Sequence, residues 1–131
     1  MLAVLLFVCL LGALSKPRLR PHKPTEEENN LGEARIICIS IYDYKMQYGM
    51  FPDVNGPLAK TLSGDNPQHI EFLQVGEDRI DDNGKYLDPT GKPFHIVITE
   101  KSIQVFYAEG GLVATCDIKT GQTHTFSKED F

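Results

Sequence analysis

The sequence predicts an α+β fold in which one long N-terminal helix packs on a small antiparallel β-meander, with a loop-rich middle between them. Three observations carry that reading. Apolar residues recur at spacings of three and four between Leu31 and Tyr48, they alternate from Phe94 onward, and clusters of Gly, Pro, Asn and Asp without sustained period separate the two regions. A helix with one apolar stripe and a sheet with one apolar face bury each other as two layers. A chain of 131 residues, 41% of them hydrophobic, can build that core as one domain without a structural metal.

The helix is predicted to start near Glu26. Thr25 and Glu28 form a capping-box pair, Glu26, Glu27 and Glu28 lie at the positive end of the helix dipole, and Pro24 blocks backward extension. Its core stripe is Leu31, Ala34, Ile37, Cys38, Ile41, Tyr44, Lys45 and Tyr48, with Gly32 a tolerable weak point and the Lys45 stem laid along the stripe. Gly49 is the expected left-handed terminator, and Pro52 prevents the helix from resuming.

Asp53 to Pro57 reads as a turn, and Leu58, Ala59 and Leu62 as a short second helix stopping at Gly64-Asp65-Asn66-Pro67. Ile70, Phe72, Leu73 and Val75 precede an irregular polar span, Gly76 to Lys85, containing the turn dipeptide Asn83-Gly84. Phe94, Ile96 and Ile98 then mark a first strand, Ile103, Val105 and Tyr107 a second, and Leu112, Ala114, Cys116 and Ile118 a third. Glu100-Lys101, Gly110-Gly111 and Lys119-Thr120-Gly121 supply the reversals, and Gln122 to Phe126 forms the last short strand.

Residues 1–15 read as a signal peptide or short apolar anchor, 16–24 as a Pro-rich basic linker, and 25–131 as the globular domain. As a helix, Met1 to Leu14 reaches roughly 21 Å, short of the roughly 30 Å hydrocarbon core of a bilayer. Ala13-Leu14-Ser15 suits a signal peptidase, with cleavage before Lys16. The expectation is export, either to the periplasm or anchored in the inner membrane facing it, with membrane contact confined to the N-terminal segment. A net charge of −5 speaks against nucleic acid as a partner, because phosphate binding needs a clustered basic surface.

Chemistry-bearing patterns are sparse. His22, His69, His95 and His124 stand singly, without a second ligand at metal-binding spacing, and read as surface imidazoles. Glu77, Asp78, Asp81, Asp82 and Asp88 crowd one loop, but their spacing does not match an EF-hand, and a solvated acidic loop is the plainer reading. They could serve a small exported hydrolase if a cleft walled them together. Cys38 on the helical stripe and Cys116 on a strand that packs against it could bridge in an oxidising compartment or remain two buried thiols; a bridge needs Cα atoms within about 7 Å.

The pattern Tyr44-x-x-x-Tyr48-Gly49-x-Phe51-Pro52, then Leu58-x-x-x-Leu62, then Asp88-Pro89-x-Gly91-x-Pro93-Phe94 resembles the globular domain of type II secretion pseudopilins, especially the major pseudopilin. The resemblance covers roughly residues 31 to 100 and does not extend to the family's prepilin N-terminal motif. It implies a non-enzymatic structural and interaction protein of the general secretion pathway, with other secretion-system or pilus-like proteins as partners. The alternatives are a true pilus or pseudopilus subunit with a lost N-terminal start, or the small hydrolase. Major pseudopilins also bind calcium near the C-terminus, which implies Glu109, Asp117, Glu129 and Asp130 as ligands here; no other cofactor is implied.

Overall fold

The computed structural model describes residues 26–126, with side chains from Leu31 onward. Helix α1 spans Glu26–Tyr48, a short helix α2 spans Leu58–Leu62, and a single 3-10 turn covers Glu77–Arg79. Four strands follow: β1 (His95–Ile98), β2 (Ser102–Phe106), β3 (Leu112–Asp117) and β4 (Thr123–Thr125). They form one antiparallel sheet in the order β1-β2-β3-β4, a meander. The predicted class and element order are both present. The Thr25 cap, the N-terminal segment and linker, Glu129 and Asp130 lie outside the described residues.

The stripe read from the sequence is the buried face of α1: Ala34, Ile37, Cys38, Ile41 and Tyr44 are in the core, with Leu31 and Tyr48 packed at its margin. Against it the sheet presents Ile96, Ile103, Val105, Val113, Ala114 and Cys116. The helix lies along β3, with β2 and β4 to either side. Leu58, Ala59 and Leu62 of α2 close the core from one end.

The third strand departs from simple alternation. Val105 pairs with Ala114 but Phe106 pairs with Leu112, so Val113 is an extra residue in a β-bulge. The bulge shifts the phase. Val113 and Ala114 are both fully buried while Leu112 is half-buried, so a neighbour the period-two reading placed outward joins the core. The last strand is also shorter than the expected Gln122 to Phe126.

Candidate functional site

Residues 44–52 and 88–94 form two knots, one at the exit of α1 and one at the entry to the sheet. At the first, Gly49 has φ +75° and its amide donates to Lys45 O at 2.8 Å, closing α1 as expected of a left-handed glycine. Lys45 Nζ donates back to Gly49 O at 2.7 Å and sits 5.3 Å from the centre of the Phe51 ring. Tyr44, Tyr48 and Phe72 form an aromatic triangle, with centroids 4.6 to 6.2 Å apart. Pro52 is buried beside this exit.

Asn66 locks the knot. Its Oδ1 accepts from Tyr48 Oη at 2.6 Å and Ile70 N at 2.9 Å, and its Nδ2 donates to Thr61 O and Ile70 O at 2.8 and 2.7 Å. Both amide protons and the carbonyl oxygen are engaged, which suits a side chain only 8% exposed. The sequence shows Asn66 only as part of a helix-stopping cluster, since nothing local reveals a partner on α1.

The second knot is Asp88. It is 1% exposed, so the solvated acidic loop expected of residues 77–88 does not describe this residue. Its Oδ1 accepts from Thr90 N at 2.8 Å, Thr90 Oγ1 at 2.6 Å and Lys92 N at 3.3 Å; its Oδ2 accepts from Ala108 N at 2.8 Å. The carboxylate therefore fastens its own turn, in which Gly91 has φ +83°, to the loop between β2 and β3. Burial opposes its ionisation, but the Thr90 hydroxyl and the Ala108, Thr90 and Lys92 amides outweigh that and hold the carboxyl below its ordinary value. It is a poor proton donor near neutral pH. The chain leaves the knot through Pro93, bridged to Leu87, into Phe94, whose ring stacks 6.3 Å from Tyr107; Pro89 is exposed.

The remaining acids do not converge. Asp81 Oδ1 accepts from Asn83 N and Lys85 N, both at 2.9 Å, as a turn cap, while Glu77, Asp78 and Asp82 are exposed. Glu109 lies in the β2–β3 turn and Asp117 at the far end of β3, roughly 20 Å along a six-residue strand. They cannot share one calcium ion, whose oxygens stand about 2.3–2.6 Å from it. Asp117 caps its own turn, and the Thr120 and Lys119 amides hold its carboxyl below the usual range. Among the described residues no cluster of three His, Cys, Asp or Glu side chains could hold a metal. His69, His95 and His124 are exposed, as expected of single surface imidazoles.

Cys38 and Cys116 are both free and buried. Cys38 Sγ lies 3.9 Å from the carbonyl oxygen of Ile103, the cross-strand neighbour of Cys116. Burial and the nearby Cys116 push the Cys38 thiol up to about 12, and burial, Asp117 and Asp43 raise Cys116. Both are protonated and unreactive as placed.

One feature was not legible in the sequence. A cleft of about 290 Å³ opens between α1 and the Leu73–Leu87 segment, with Ile36, Ile37, Leu73, Val75 and Leu87 among its walls. Arg79 Nη2 bridges it, donating to Glu33 Oε2 at 2.6 Å and Leu87 O at 3.3 Å. Arg79 Nε and Tyr86 Oη are buried with no hydrogen-bond partner among the described residues. The cleft joins residues some 46 positions apart, which no local spacing signals. Ile36 is exposed at the rim of this cleft, Met46 is exposed elsewhere on α1, and Met50 is exposed just beyond the helix end.

No family model, curated protein or solved structure matches this chain. Among the described residues no helix is long and apolar enough to cross a membrane.

Proposed function

We propose that this chain is a non-enzymatic interaction module, acting in the cell envelope like the globular head of a type II secretion pseudopilin. The observation that supports the reading is the proportion of α1 to the sheet. Its 23 residues extend about 34 Å, whereas β3, with six residues the longest strand, extends roughly 20 Å. The helix is thus longer than the strands it packs against. Such a helix suits a head that is held from its N-terminal end. The two knots add to this reading, since they spend the motif residues on fixing the helix exit and the sheet entry rather than on a reacting centre.

The test is a deletion strain of the native host, complemented with the wild-type chain or with Met46→Asp at an exposed position of α1. Loss of proteins from the culture medium with their retention in the periplasm, restored by wild type, is the expected result. An unchanged set of exported proteins in the deletion strain would remove the proposal.

A further inference from the structure

Cys38 and Cys116 converge on one carbonyl. Where β2 meets β3, Ile118 N donates to Lys101 O at 3.0 Å, and Cys116 and Ile103 are direct partners two residues further along each strand. In the alternation of an antiparallel ladder, Cys116 N–H therefore also faces Ile103 O. Cys38 Sγ approaches that same oxygen from α1, to 3.9 Å. Both thiols are free and fully buried in the seam between helix and sheet.

The seam is built from small side chains at this place. Ala34 lies one turn before Cys38 on α1, and Ala114 lies two residues before Cys116 on the same face of β3; both are fully buried. Small residues on both elements let the two backbones approach, and approach is what a disulfide requires, with Cα atoms within about 7 Å and Cβ atoms about 4 Å apart.

We infer that Cys38 and Cys116 form a disulfide when the chain folds in an oxidising compartment, fastening the middle of α1 to β3. Two S–H bonds break and one S–S bond forms; glutathione disulfide takes up the two electrons and two protons and leaves as two glutathione molecules. Once buried, neither thiol exchanges, so the bridge forms before the core closes. A force on the N-terminal end of α1 then reaches the sheet through a covalent bond as well as through packing. The inference goes beyond the head-like role and does not rest on it, because the bond follows from the seam alone.

The test starts from the full chain, unfolded and reduced, then refolded in a mixture of reduced and oxidised glutathione. Remaining thiols are alkylated in denaturant and tryptic peptides are mapped by mass spectrometry. The expected product joins the peptide Ile36–Lys45 to the peptide Ser102–Lys119 and releases both on reduction. Chain folded in cells with an oxidising cytoplasm and alkylated at lysis gives the same map without refolding. A cross-link that closes a loop of about 80 residues restricts the unfolded chain, so the bridged protein should melt at least about 10 °C above the same protein reduced. Alkylated Cys38 and Cys116 in both preparations, a bridge from either to Cys9 instead, or a bridged protein that melts no higher than the reduced one overturns the inference.

Discussion

Replacing Asp88 should cost more stability than replacing any other acid of its loop, and the structure sets the size of the effect. Two backbone amides, Thr90 N and Ala108 N, each donate to the carboxylate at 2.8 Å. Hydrogen bonds to a charged group contribute about 1.5–3 kcal/mol each. At the lower bound for two bonds, with the Thr90 hydroxyl offset by the relieved desolvation of the carboxylate, Asp88→Ala should destabilise by about 3 kcal/mol. Asp88→Asn keeps one carbonyl acceptor but points an NH2 group at a donor, so about 2 kcal/mol is expected. The assay is urea unfolding at pH 7, and for a domain of this size the alanine variant should also melt lower by about 12 °C or more. Because the folded carboxyl lies below its unfolded value near 3.9, its contribution is complete above about pH 4 and is lost as pH falls through the folded value. The gap between wild type and Asp88→Asn should therefore narrow on acidification below about pH 4. An asparagine variant within about 0.5 kcal/mol of wild type at pH 7, or a gap unchanged down to about pH 3, would refute the argument.

Three further outcomes are expected. Gly49→Ala meets no atom within 4 Å of the added Cβ and should cost only the left-handed backbone strain of about 1 kcal/mol, whereas Gly84→Ala adds a Cβ 2.8 Å from that of Pro57 and should cost at least about twice as much; thermal melts of both variants rank them. Tyr86→Phe removes a buried hydroxyl with no partner among the described residues and should leave the melting temperature unchanged or raise it, by up to about 1 kcal/mol in stability, and a clear loss would show that the hydroxyl is satisfied in solution. In the reduced protein, Cys38 and Cys116 should resist a thiol reagent until the protein unfolds, so that two thiol equivalents appear at the unfolding rate in denaturant; prompt labelling of either would mean that the core opens locally.

The parts of this fold that were legible are those whose signals are local. Period 3.6 from Leu31 to Tyr48 has one physical solution, and Gly49 followed by Pro52 ends it in one place. Alternation likewise located the strands, but a bulge adds a residue without leaving a mark in composition, and Val113 moved into the core for that reason. Asp88 was visible as part of a turn motif and also as one acid among five; what separates it from Asp81 is the Ala108 amide, brought in by a loop 20 residues later. The cleft depends on Glu33, Arg79 and Tyr86 meeting through the fold, and no pattern along the chain could assemble it.

Asn66 bears on where the chain tolerates changes in length. The segment from Thr61 to Ile70 is closed into a ring by one side-chain amide, and Tyr48 Oη, which donates to that amide, also accepts from Gln68 N at 3.1 Å. An added or deleted residue inside the ring moves the end of α1 as well as the loop. The exposed Gly76–Asp78 stretch has no such tie to Asn66, so a tag, protease site or reporter loop is better placed there than at the seemingly similar Gly64–Pro67 turn. Of two polar, glycine-containing loops in the middle of this chain, one is a spacer and the other is a clasp.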